Sequence, residues 1–149
     1  MNLDLKLFSV FNKMKYSKFG PMQETPFESG EISIDQLEDM YKSFPWIELL
    51  NEKNNRDQYE SERSVSPAIL LEHEDGKELV VSIVGEEANF KFYILYTRPF
   101  LKKKRKWFRT IEYWDDFQSI IPQQTKKDGL EALRCFMQND FETIEAKWG

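Results

Sequence analysis

The sequence predicts an α+β domain in which an antiparallel sheet of about four strands packs against N-terminal and C-terminal helices. Extended, aromatic-rich segments follow one another over residues 67–115, and short polar turns separate them. Short links favour a meander of antiparallel strands, because parallel strands need a crossover of a dozen or more residues. On both sides of this region, apolar residues recur at helical spacing.

A length of 149 residues suits a single domain, 1–149, with one core. Residues 51–66 contain Tyr59 and Val65 as their only clearly apolar side chains, so this segment is predicted to be a solvated polar connector. The chain therefore divides into a helical part at 1–50, the connector at 51–66, the sheet at 67–115 and C-terminal helices at 116–149.

The N-terminal part is predicted to be helical. Apolar residues at helical spacing indicate an amphipathic helix over residues 3–14, and the glycines and prolines that follow indicate a loop over residues 17–31. Ser33 precedes a helical pattern and Gln36 follows three residues later, which is the signature of a capping box. A further turn or two is expected at 46–50, after a proline suited to a first helical position.

Four extended runs make up the predicted sheet. The dipeptide Asp75-Gly76 between the first two runs is a strong hairpin signal, because glycine tolerates a positive φ. A five-residue loop at 85–89 is expected to join the second and third runs. Alternation in the third run predicts one buried face, formed by Phe90, Phe92, Ile94 and Tyr96. The four runs are residues 68–73, 78–84, 90–96 and a fourth that begins at Trp107.

After the sheet, residues 115–122 are predicted to be a short helical turn or a strand end. Asp128 is placed to cap a helix that carries an apolar side, and apolar residues continue at helical spacing after Asn139. These C-terminal helices are expected to lie across the sheet.

Composition excludes several classes of function. The chain has no apolar run near the roughly 20 residues needed to span a bilayer and no pattern of a signal peptide. One cysteine, Cys135, forms no internal disulfide, which fits a cytoplasmic location. We find no glycine-rich phosphate loop, nucleophile elbow or zinc-ligand quartet, so no cofactor, no metal and no catalytic residue is predicted, and a non-enzymatic role is favoured.

The distribution of charge is uneven. The net charge is −5, but residues 98–109 contain seven Lys or Arg and no acid, so the remainder of the chain carries −12. This basic loop and the aromatic residues near it form the candidate binding residues. They are Arg98, Lys102, Lys103, Lys104, Arg105, Lys106, Trp107, Arg109, Tyr113 and Trp114.

These features favour a small soluble intracellular module that binds another protein, with no membrane association. In size and composition, though in no motif, the chain is similar to bacterial toxin-neutralising immunity proteins. A second hypothesis is a pocket over the sheet that binds or converts a small molecule, with Glu112, Asp116 or His73 supplying polarity. A third is binding of single-stranded nucleic acid through the basic loop, and a fourth is that the loop is merely a solvated hairpin tip.

Overall fold

The computed structural model describes residues 13–21, 25–59 and 65–149. The α+β class and the antiparallel sheet are confirmed, with six strands and four helices in these ranges. The strands are β1 (Lys13–Phe19), β2 (Glu28–Ser33), β3 (Ala68–Glu72), β4 (Glu78–Glu86), β5 (Asn89–Lys106) and β6 (Arg109–Gln124). The helices are α1 (Ile34–Ser43), α2 (Trp46–Tyr59), α3 (Lys126–Met137) and α4 (Phe141–Trp148).

The sheet has the strand order β2-β1-β3-β4-β5-β6, and each neighbouring pair is antiparallel. Strands β1 and β2 correct the sequence analysis, which predicted a loop over residues 17–31 and extended a helix to residue 14. The earlier part of that predicted helix, residues 3–12, lies outside the described residues. Both strands are polar and β2 contains Gly30, so local propensity is weak, and their conformation depends on the pairing of β1 with β3 and of β2 with β1.

The segment predicted as a basic loop is a strand. Strand β5 continues to Lys106, and β6 begins at Arg109 after the two-residue turn Trp107-Phe108. Residues 115–122, predicted as a helical turn or a strand end, also belong to β6. A lysine-rich run has low β-propensity, so no local pattern predicts this extension, which depends on pairing with β6.

The polar connector is partly helical. Helix α2 extends to Tyr59, so residues 51–59 are not a loop as predicted. Two ion pairs at spacing i, i+4 stabilise this polar turn, and the amide of Asn54 donates a hydrogen bond of 2.8 Å to the carbonyl oxygen of Gly85. Contacts between polar side chains, most of them half-buried, therefore stabilise this part of the helix in place of an apolar face.

The helices pack on one face of the sheet. Phe92, Ile94 and Tyr96 are buried there as predicted, and Phe90 is half-buried. The rings of Trp46 and Phe92 meet edge to face at 5.1 Å between centroids. This layer leaves the opposite face of the sheet, here called the outer face, for the side chains of the alternate residues of each strand.

Candidate functional site: a projecting hairpin arm

The hairpin of β5 and β6 is longer than the sheet that it belongs to. Pairing between β4 and β5 ends at Glu78 and Thr97, whereas pairing between β5 and β6 continues to Lys106 and Arg109. Residues 99–116, here called the arm, therefore form a two-stranded ribbon that projects from one end of the sheet. Nine of the ten predicted site residues lie in it.

The tip of the arm carries two exposed aromatic rings. Trp107 is 95% exposed and Phe108 is 93% exposed, and their centroids lie 6.1 Å apart. Such exposure means that neither ring contributes to the core. A large apolar side chain in water is unfavourable by about 1.5–3 kcal/mol relative to a buried one, so burial of these rings by a partner is a source of binding energy.

The cations of the arm are mostly unneutralised. Lys102 lies 3.7 Å from a carboxylate oxygen of Asp115, and Lys103 lies at the same distance from Glu112. Exposed pairs of this kind contribute little to stability. In the described ranges, the other cations of the arm make no ion pair. They are Lys104, Arg105, Lys106 and Arg109.

Arg98 differs from the other predicted site residues because it belongs to the base of the arm. Its Nε atom lies 3.1 Å from Oε1 of Glu145 on α4, as an ion pair without hydrogen-bond geometry. Its guanidinium carbon lies 4.8 Å from the ring centroid of Phe117. These contacts tie α4 to the sheet, so the structure gives Arg98 a packing role rather than a place on the exposed surface.

Tyr113 and Trp114 point to opposite faces of the arm. Trp114 is 71% exposed and pairs across the ribbon with Leu101, which is 45% exposed. Tyr113 pairs with Lys102 and is 37% exposed. The sequence analysis missed Leu101, because its contribution is apparent only when residues 99–106 are read as a strand with alternating faces.

The outer face of the sheet carries a row of apolar side chains in register. Leu70, Val80, Leu95 and Ile120 are paired in that order across β3, β4, β5 and β6. The first three are half-buried, and Ile120 is 62% exposed. Leu101 and Trp114 continue the same face onto the arm, so the apolar strip extends from the body of the sheet to the ribbon.

An acidic row lies beside this apolar row. Glu72 on β3 is directly opposite Glu78 on β4, and both side chains are on the outer face. Burial raises the pKa of the Glu78 carboxyl, and the carboxylates of Glu72 and Asp116 raise it further. The base of the basic arm is therefore bordered by two acids, and Lys15 on β1 lies opposite the first of them, Glu72. The sequence analysis missed this row because the two glutamates meet only through the register of β3 and β4.

A cleft of about 520 Å³ opens at the same end of the sheet. It is lined by Lys13, Lys15, Glu31, Glu72, His73, Glu74 and Glu78, among others. The His73 ring meets Phe141 edge to face at 5.5 Å, and its Nδ1 atom lies 2.7 Å from Oδ1 of Asp75. The ring therefore packs against α4, although His73 lines the same cleft as Glu72 and Glu78. The acids named in the pocket hypothesis, Glu112 and Asp116, are not among the lining residues.

The remaining chemical groups offer little reactivity. Burial raises the pKa of the Cys135 thiol, and the carboxylates of Asp140 and Glu131 add to the shift, so the thiolate is disfavoured. Arg134, the residue before Cys135, pairs with Glu38 at 2.7 Å. Within the described ranges, no group of three or more His, Cys, Asp or Glu is arranged to hold a metal ion.

In the part of the chain that the structure describes, no helix is long and apolar enough to cross a bilayer.

The chain matches no protein-family model, no curated protein and no solved structure. A proposal about its function therefore has to be drawn from the surface of the molecule.

Proposed function

We propose that this chain is a protein-binding module whose contact surface is the arm. The observation that carries the proposal is the exposure of Trp107 and Phe108 at the end of a ribbon that projects beyond the rest of the sheet. Tryptophan provides more binding energy than most residues at protein interfaces, and exposed apolar clusters rimmed by polar residues mark interaction sites.

The cations and exposed rings of the arm indicate which kind of partner surface would bind it. Four cations without ion-pair partners surround the tip, so a complementary surface has carboxylates around an apolar pocket that receives the two rings. A cytoplasmic location belongs to this proposal, since the single cysteine is a buried thiol. An immunity-type role is one specific form of the proposal, in which the arm covers the surface of a toxin.

Affinity enrichment from extract of the source cells, followed by binding of the purified partner, tests the proposal. The variant Trp107→Ser/Phe108→Ser should weaken that binding at least about 10-fold, because it removes two central apolar contacts. Val84→Ser, a change at an exposed apolar residue distant from the arm, is the matched control and should bind like the wild type. Equal affinities of the tip variant and the control would exclude the arm as the contact surface.

Binding of single-stranded nucleic acid is a second candidate function. Cations next to exposed rings provide both phosphate contacts and stacking surfaces. Three acids in the arm, Glu112, Asp115 and Asp116, weaken this candidate because they repel a phosphate backbone. Titration of a fluorescent oligonucleotide at low salt checks it, with replacement of Lys102–Lys106 by serine expected to abolish binding. Binding that the serine variant retains would rule out the arm as a nucleic-acid site.

A further inference from the structure

We infer that the arm of one copy of this chain docks on the outer face of a second copy, in a reciprocal two-fold dimer. This inference rests on the proposed function, because it identifies a partner for the same arm. Two surfaces that have no role in the described fold are complementary to each other. One is a basic ribbon with an apolar strip, and the other is an apolar row bordered by acids.

The charges of the two surfaces are complementary. Lys103 and Arg105 are on the side of the arm that continues the outer face, as the alternation of β5 requires. Glu72 and Glu78 are on the outer face of the body, where burial raises the pKa of Glu78 and the carboxylates of Glu72 and Asp116 raise it further. Glu72 has Lys15 opposite it across β1 and β3, but neither Glu72 nor Glu78 makes an ion pair within 4 Å in the described ranges, so cations from a second copy would neutralise them further.

The apolar groups are complementary as well. Leu101 and Trp114 form a strip on the arm, and Leu95 and Ile120 continue that strip on the body of the same strand pair. When two such faces meet in antiparallel orientation, the strip of each arm lies against the outer face of the other copy. The same patch then serves both partners, as a two-fold interface requires.

The size of the arm sets the expected affinity. Eight residues in each strand span about 27 Å, and two strands are about 10 Å wide, so each arm covers a few hundred Å² of its partner. Two arms reach the lower end of the range for specific interfaces. We therefore expect a dissociation constant in the micromolar range, which increases with ionic strength because charged pairs contribute.

Two charge-reversal variants, one on the arm and one on the outer face, test the inference. Their self-association is measured by sedimentation velocity over about 1–500 µM protein, the range that a weak interface requires. The arm variant is Lys103→Glu/Arg105→Glu, and the face variant is Glu72→Lys/Glu78→Lys. Each variant alone should remain monomeric where the wild type dimerises, and an equimolar mixture of the two should associate. Lys127→Glu, a charge reversal at an exposed residue of α3 in the helix layer, is the matched control, and circular dichroism confirms that each variant is folded.

Several outcomes would overturn the inference. A wild type that stays monomeric up to about 500 µM excludes the dimer. An arm variant that dimerises like the wild type excludes the arm as the contact. Two monomeric variants that fail to associate when mixed exclude arm-to-face pairing. The proposed function fails separately, when the Trp107→Ser/Phe108→Ser variant retains its affinity for every protein partner, a second copy included.

Discussion

Two buried tyrosines differ in how their hydroxyl groups are satisfied. The hydroxyl of Tyr41 donates a hydrogen bond of 2.6 Å to the carbonyl oxygen of Lys126. The hydroxyl of Tyr96 is buried and has no hydrogen-bond partner in the described part of the chain. Burial raises the pKa of Tyr96 to about 12, so the group stays a neutral phenol with an unused donor.

Replacement of each tyrosine by phenylalanine should therefore have opposite effects on stability. Tyr96→Phe should leave the free energy of unfolding unchanged or raise it by up to about 1 kcal/mol, because it removes an unsatisfied polar group. Tyr41→Phe should lower it by about 1–2 kcal/mol, because the carbonyl of Lys126 loses its donor. Urea denaturation of the two variants measures both values, and an equal loss in both would contradict the prediction.

At the same scale, packing explains a residue that helix propensity disfavours. Gly129 lies within α3, where glycine costs about 1 kcal/mol relative to alanine. A Cβ atom at this position would lie 2.5 Å from the Tyr41 hydroxyl oxygen and 2.7 Å from Cγ1 of Val81. The close approach of α3 to α1 and to the sheet therefore requires glycine, a reason that no local sequence pattern shows.

At the scale of elements, the beginning of α3 is fixed by a reciprocal pair of hydrogen bonds. The Thr125 hydroxyl accepts from the backbone N–H of Asp128, and the Asp128 carboxylate accepts from the backbone N–H and the hydroxyl of Thr125. The sequence analysis named Asp128 as the cap, whereas Thr125 is the N-cap and Asp128 is the third helical residue. The hydrogen bonds from Thr125 lower the pKa of the Asp128 carboxyl.

Loss of this cap should lower stability in a way that depends on pH. Thr125→Ala should cost about 1 kcal/mol at pH 7, and Thr125→Ser, which keeps the hydroxyl, should cost much less. The pKa of the Asp128 carboxyl is lower in the folded protein than its unfolded value of about 3.9. The stability that this carboxylate contributes is therefore present above that pH and is lost as the pH falls through the folded pKa. The wild type should therefore melt at a higher temperature than Asp128→Asn at pH 7, and this difference in melting temperature should shrink below about pH 4. A difference that is constant with pH would contradict this account.

Elements with local signals were predictable, and elements with distant partners were not. The capping box of Ser33 and Gln36 and the turn at Asp75-Gly76 depend on residues within four positions, and both are confirmed. Strands β1 and β2 and the outer half of β5 are polar, and their conformation depends on pairing with other strands. For the candidate site, the sequence indicated the cations and Trp107, but the outer face depends on strand register and was not predictable.

At the scale of the whole molecule, the sheet brings two glutamates from separate strands together on its outer face. Glu78 is half-buried opposite Glu72, and its raised pKa means that the folded protein binds this proton more tightly than the unfolded chain. The stability that Glu78 contributes is therefore greatest below the unfolded pKa and is lost as pH rises through the folded pKa. At neutral pH the charged Glu78 carboxylate therefore lowers the free energy of unfolding.

Neutralisation of this carboxylate should stabilise the fold near pH 7. Glu78→Gln should raise the free energy of unfolding by about 0.2–1 kcal/mol, the range for cross-strand charge pairs, and the gain should vanish below about pH 4. Glu74→Gln, a change in the exposed turn next to β3, is the matched control with little expected effect. Chemical denaturation at pH 7 and pH 3.5 measures both variants, and a gain that persists at the lower pH would show that charge is not the cause.

The position of β1 has a consequence for how the chain folds. Strands β1 and β2 form one hairpin, strands β3 to β6 form a meander of sequential neighbours, and five residue pairs, from Lys15 with Glu72 to Phe19 with Ala68, join the two units. Each unit can assemble from nearby residues, whereas the seam between them must close a loop that contains α1 and α2. Because that closure costs entropy, we expect the β1–β3 seam to form late in folding and to open first, so amide hydrogens paired across it should exchange faster than those between β4 and β5.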